Sequence, residues 1–192
     1  MPMFDEGKHS FALQLGVARP TKTNGLDSFA KPGPGVGLQY LYYPWDWVAV
    51  GGELDYLAFG KKSSASGASG SATGLYFGPV ARVNILRERS WTPYVLGGAG
   101  LHSFSLKTAS PAGAAVPPAD CRLLPEACGS QSAKSTGLAL TGALGLEAFL
   151  FRGFSLSFEA RYHEFRLDSK KFAGNAEGLS YMLGIHVWLK DY

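Results

Sequence analysis

TGLALTGALGLEAFLFRGFSLSFEARYHEFR, Thr136 to Arg166, holds two long alternating runs that meet at one tight turn. In the first run Leu138, Leu140, Leu144, Leu146 and Leu150 share one phase, and Ala139, Thr141, Ala143, Gly145 and Glu147 the other. In the second, Phe154, Leu156, Phe158, Ala160 and Tyr162 oppose Ser155, Ser157, Glu159, Arg161 and His163. Side chains switch faces at every step of a strand, so period two means β. Keeping both apolar faces on one side predicts that Leu150 pairs with Phe154. Phe151, Arg152 and Gly153 are then a three-residue loop whose last position suits a left-handed glycine. That register sets Glu147 opposite Ser157, Gly145 opposite Glu159 and Ala143 opposite Arg161, so each charged residue faces a small one.

The same pattern recurs along the chain. Phe11, Leu13, Leu15 and Val17 alternate with Ala12, Gln14 and Gly16, and Val36, Leu38, Tyr40 and Tyr42 share a face that ends at Pro44-Trp45-Asp46-Trp47. Val48, Val50, Leu54 and Tyr56 oppose Ala49, Gly51, Glu53 and Asp55. Leu75, Phe77, Ala81, Val83 and Ile85 oppose Tyr76, Gly78, Val80, Arg82 and Asn84, with Pro79 read as a bulge in the ladder. The repeated glycines of Gly97-Gly98-Ala99-Gly100 blur the next strand, where Tyr94, Leu96, Phe104 and Leu106 are grouped together. The last run places Leu179, Tyr181, Leu183, Ile185, Val187 and Leu189 opposite Ser180, Met182, Gly184, His186 and Trp188.

Eight strands result, joined by connections that alternate long and short. The long ones span 19–33, 60–72, 107–135 and 167–177, rich in Gly, Pro, Ser, Ala and Lys. An even strand count with turns on one side and longer loops on the other is the pattern of a transmembrane barrel. Nearly all the runs reach the roughly 9 to 11 residues that cross a bilayer at a tilt. Alternation alone leaves open which face is outside. In a soluble barrel the second face would be the wet surface, with charges at about 25 to 35%. Here that face is mostly Gly, Ala and Ser with a few charges of both signs, which suits the inside of a narrow eight-stranded barrel. The Leu, Val, Phe and Tyr face is therefore expected to meet lipid. Glu53, Asp55, Arg82, Glu147, Glu159, Arg161 and His186 are expected to face the lumen. Trp45, Trp47, Trp91 and Tyr94 at the short turns, and Tyr162 and Tyr181 with Phe59, Phe104 and Phe165 near the long loops, read as two aromatic girdles.

Composition agrees and excludes other classes. Only 17% of the 192 residues are charged, 25 are glycine and 13% aromatic, and the net charge of +3 offers no basic surface for nucleic acid. No apolar run approaches the roughly 20 residues of a spanning helix. The start, MPMFDEGKHS, lacks a signal core and reads as an exported chain after processing, with an added Met. The chain is read as one domain, 1–192. Cys121 and Cys128 are spaced too widely for a CxxC pair, and their pairing in an oxidising compartment is the simplest reading. Closing so small a loop contributes about 2.5 kcal/mol.

WTPYVLGGAGL, Trp91 to Leu101, and ALGLEAFLFRGFSLSFEARY, Ala143 to Tyr162, resemble a glycine-rich strand and the penultimate hairpin of the small outer-membrane β-barrel family. That family includes the OmpA transmembrane domain, the opacity-type adhesins and OmpW. At the end the sequence departs from it, since Tyr192 is out of phase with Leu189 and Val187. The resemblance implies an all-β, eight-stranded, antiparallel up-and-down barrel in the bacterial outer membrane, with termini in the periplasm and long loops outside. It also implies that the lumenal charges form a structural network that plugs the barrel. The expected role is structural or binding, through loop contacts with lipopolysaccharide, a surface or another envelope protein. Arg19, Lys22, Lys31, Lys61, Lys62, Lys170 and Lys171 would supply cations for phosphates. The competing reading is a narrow pore or an OmpW-like path for small hydrophobic solutes. Some eight-stranded barrels modify lipid A, and His163, Glu164 and Ser169 are the nearest candidates here, but their spacing fits no hydrolytic motif. The expectation is no enzyme, no cofactor and no metal.

Overall fold

The computed structural model describes residues 7–21, 30–63, 69–86, 90–109, 131–151, 153–168, 172 and 174–190. Nine strands follow in order: β1 Lys8–Pro20, β2 Ala30–Lys31, β3 Gly33–Trp45, β4 Val48–Ser63, β5 Ser69–Asn84, β6 Trp91–Ala109, β7 Gln131–Phe151, β8 Phe154–Phe165 and β9 Ala176–Lys190. All but the two-residue β2 are staves of one barrel. Each stave pairs antiparallel with its neighbours in the order β4-β3-β1-β9-β8-β7-β6-β5, and β5 returns to β4 to close the ring. Closure leaves no unpaired edge in the wall, the condition for a sheet to sit in hydrocarbon. The expected eight-stranded up-and-down architecture is the one found.

The β7–β8 register has Glu147 opposite Ser157, Gly145 opposite Glu159 and Ala143 opposite Arg161, as the hairpin reading requires. Its turn is tighter than expected. Phe151 pairs with Phe154, a bulge between Phe149 and Phe151 takes up Leu150, and Gly153 turns the chain at φ +84°. Leu150 therefore does not pair with Phe154. The bulge absorbs one residue and leaves both apolar faces outside. Pro79, by contrast, makes no bulge. The β4–β5 register runs unbroken from Val48–Val83 to Phe59–Ala72, and towards β6 the proline costs rungs between Phe77–Leu101 and Val80–Gly98 without shifting them. A missing N–H removes a hydrogen bond, not a residue.

Facing follows the alternation. Leu144 is 66% exposed while Ala143 beside it is 5% exposed. The apolar phases of β1, β3, β4, β5, β7, β8 and β9 all point out of the barrel. In β6 the grouping of Tyr94, Leu96, Phe104 and Leu106 holds, but all four point inward, and Trp91, Val95 and Leu101 take the outer face. Their ladder partners explain it. Tyr94 lies opposite Gly145, Leu96 opposite Ala143, Phe104 between Gly74 and Ser135, and Leu106 between Ala72 and Ala133. Small residues on β5 and β7 leave lumen volume that large residues on β6 fill. A Cβ at position 145 would overlap the Tyr94 ring, so this glycine is needed for packing.

The strands also outrun the loops inferred for 60–72 and 107–135. Residues 60–63 and 69–72 extend β4 and β5, and 107–109 and 131–135 extend β6 and β7. Outward side chains change character there, from Leu101 and Leu138 to Ser103, Lys107, Thr136, Lys134 and Ser132. The six rungs from Ser103–Thr136 to Thr108–Gln131 continue this hairpin for about 20 Å along the tilted strands beyond the apolar band.

Candidate functional site

The inward face of β8 reads off the levels of the lumen: Ser155, Ser157, Glu159, Arg161, His163 and Phe165, in order from the short-turn end. At the first levels Arg82 donates from Nε to Asn84 Oδ1 at 2.8 Å, pairs with Glu147 and stacks over the Tyr94 ring at 3.6 Å. Ser155 donates to the other Glu147 oxygen and receives a 2.8 Å hydrogen bond from Trp188 Nε1. The His186 ring lies between Ser10 Oγ at 3.2 Å and Ser157 Oγ at 2.9 Å. Leu41, Tyr43, Ala49, Val80 and Leu96 pack around this group.

Arg161 is the hub of the next level. Its Nε pairs with Glu159, its Nη1 meets both Asp55 and Glu53, the latter at 2.8 Å, and its Nη2 donates to Gln14 Oε1 at 2.9 Å. Neutral donors hold the outer oxygens: Tyr94 OH donates to Glu159 at 2.9 Å and Gln39 Nε2 to Glu53 at 3.1 Å. Three carboxylates from two strands thus converge on one guanidinium whose fork can reach them all. Above it, His163 stacks on Phe165 and the mouth turns apolar, with Leu57, Phe59, Tyr76, Phe104, Leu106 and Phe165 in one cluster. Phe172, from the last long connection, is 1% exposed inside that cluster and meets Phe104 edge-on. Asp168, which accepts from the Phe172 N–H at 2.9 Å, is itself tied to Ser135 Oγ.

All seven lumenal candidates, Glu53, Asp55, Arg82, Glu147, Glu159, Arg161 and His186, are buried in these two networks. Gln14, Gln39, Asn84, Ser155 and Ser157 complete them, and their inward phase was the available signal. Phe172 carries no such signal, since a loop has no period. Of the proposed girdle, Trp45, Trp47, Trp91, Tyr162 and Tyr181 are exposed on the outer wall, with Trp45 and Trp47 stacked 6.5 Å apart. Tyr94 is a correction: it lies in the lumen between Arg82 and Glu159. Phe59, Phe104 and Phe165 likewise belong to the inner cluster, where small ladder partners leave them room. Arg19, Lys31 and Lys61 are exposed at the long-loop end, the last two on adjacent strands. The side chains of Lys22, Lys62, Lys170 and Lys171, together with Cys121, Cys128, Ser169 and Tyr192, lie outside the described residues. His163 and Glu164 do not form a catalytic pair. Neighbours on a strand face opposite ways: His163 is in the lumen, and Glu164 accepts from Asn175 on the other side.

Comparison with known proteins agrees with this architecture. A search of curated protein sequences gives no significant match. Among solved structures, Neisserial surface protein A superposes with a TM-score of 0.58 at 15% identity, covering 95% of this chain and 99% of that one. Ail, the attachment invasion locus protein of Yersinia pestis, gives 0.54 at 18% identity over 96% and 99%. The outer membrane protein OprG of Pseudomonas aeruginosa gives 0.51 at 13% identity over 97% and 98%. At such identities the likeness is one of fold. The outer membrane protein beta-barrel domain family matches residues 2–187, nearly the whole closed wall, and the chain belongs to that family of integral outer-membrane barrels.

Proposed function

We propose that the protein is a non-enzymatic outer-membrane barrel that binds anionic envelope or surface polysaccharide, lipopolysaccharide first, through its long-loop end. In this reading the termini are periplasmic and the long connections lie outside the cell. The observation that carries it is the division of labour along the wall. The lumen is filled by two ion networks and two apolar clusters, whereas the β6–β7 hairpin continues well past the apolar band. A narrow pore draws no support from a lumen so packed. Cations ring the projecting end: Arg19, Lys31, Lys61, Lys107, Lys134 and Arg166 are all exposed there. Ail, similar in fold, has been crystallised in complex with the heparin analogue sucrose octasulfate, a polyanion.

Each basic side chain near an anionic surface contributes about 1 kcal/mol, or roughly fivefold in affinity. The Lys31→Ala, Lys61→Ala double variant is therefore expected to bind lipopolysaccharide about 25-fold more weakly than wild type at low salt, with a shallower salt dependence. Lipopolysaccharide binding to the folded protein, titrated against NaCl, measures both. Equal affinities for the two proteins would remove the basic rim from the account.

A further inference from the structure

The two ion networks are not equally balanced. Around Arg82 one guanidinium meets one carboxylate, Glu147. Around Arg161 one guanidinium meets three, Glu53, Asp55 and Glu159, so the layer carries two negative charges in excess if all are ionised. These side chains are 0 to 2% exposed, with the apolar mouth cluster above them and the second apolar cluster below. Uncompensated charge so placed is too costly to persist. Unpartnered polar atoms point into the same level: Asp55 Oδ1, Gln14 Nε2, Tyr76 OH, and both ring nitrogens of His163, whose Nε2 stands 3.6 Å from Asp55. Facing the layer are Gln14 from β1, Gln39 from β3, Tyr76 from β5, Tyr94 from β6, Thr141 from β7 and Ser180 from β9, none of them a cation. The other buried charged or imidazole groups among the described residues are Arg82, Glu147 and His186 in the lower network, and His102 of β6 in the mouth above, which packs on Phe165 and has Nδ1 3.0 Å from the Leu138 carbonyl.

We propose that the space between Glu53, Asp55 and His163 is a binding site for small positive charge, taken up as the barrel folds. Its occupant is a proton or a monovalent cation. Among the described residues no group of three or more His, Cys, Asp or Glu side chains is arranged to hold a metal ion, which favours the proton of the two. A proton sits on a carboxyl or on His163. An alkali cation is held by Asp55 Oδ1 and the neighbouring oxygens. The site does not depend on the loop-binding role, and its test leaves that role untouched.

Equilibrium folding of the full chain from urea into phospholipid vesicles, between pH 7 and 8.5, reads it directly. Over this window unfolded carboxylates are ionised and unfolded histidines mostly neutral. A folded state that holds extra protons therefore loses stability as pH rises, and the folding constant falls about tenfold per pH unit for each proton bound. If the occupant is a cation, the constant is insensitive to pH but falls when NaCl or KCl is replaced by choline chloride at equal ionic strength. In Glu53→Gln, or in Asp55→Asn should the first fold poorly, the proton slope is expected to drop by about one, or the choline effect to vanish. A wild-type folding constant insensitive to both pH and cation overturns the proposal. So does a response that both variants retain in full, since the charge would then lie elsewhere.

Discussion

Arg161→Met is expected to cost about 3 to 5 kcal/mol of folding free energy, the largest effect of any single substitution considered, because it strands Glu53, Asp55 and Glu159 in the lumen without their common partner. Native proteins have about 5 to 15 kcal/mol of stability, so the variant should still fold at neutral pH but with a large share of its stability gone. Urea midpoints in vesicles, or the fraction of heat-modifiable band on an unboiled gel, measure this. The informative companion is Arg161→Met combined with Glu53→Gln, Asp55→Asn and Glu159→Gln. Removing a whole buried ion cluster is far cheaper than removing one member, so this variant should recover most of the loss. A single Arg161→Met barrel within about 1 kcal/mol of wild type would mean that the guanidinium does not organise the lumen.

The second large effect belongs to the outer wall. Leu144 lies between Leu138 and Leu150 on the exposed phase of β7, at the middle of the apolar band. Leu144→Arg is expected to cost about 2 to 4 kcal/mol, the range for arginine on a lipid face near the midplane. Thr136→Arg, eight rungs above on the same phase, lies past the band and should cost about 0 to 1 kcal/mol. The difference between the two variants in one vesicle series cancels generic effects of the substitution. Were the outer wall wet, Leu144→Arg would be as harmless as Thr136→Arg.

Those two substitutions mark what alternation reveals and what it hides. Where one face meets lipid and the other a narrow lumen, as along Leu138 to Leu146 and Phe154 to Tyr162, period two is unambiguous and the face can be assigned from its neighbours' size. Beyond the band the outer face meets water and the inward residues, Gly70, Ala72, Ala133 and Ser135, are small, so residues 69–72 and 131–135 lose the contrast and read as loop although they are strand. In β6 the signal is present but inverted. Tyr94, Leu96, Phe104 and Leu106 go inside because Gly145, Ala143, Gly74 and Ala72 leave space on adjacent strands, which no single strand discloses.

The site divides in the same way. Each lumenal charge could be found by its phase. Its partner could not, since Asp55 and Arg161 are 106 residues apart and meet only when the ring closes. The three-to-one crowding of carboxylates on Arg161, and with it the proposed charge site, exists only at that level of organisation. Phe172 is further from reach still, being placed by the mouth it fills.

The central claim is the direction of the wall: leucine and phenylalanine outward to lipid, charge inward. Methyl NMR of the folded barrel in micelles doped with 16-doxyl stearate tests it without any substitution. The Leu144, Leu146, Leu156 and Leu183 methyls should broaden strongly, while those of Ala139, Ala143, Leu57 and Leu106 should stay sharp. Broadening of the second set with protection of the first would turn the barrel inside out and contradict the account.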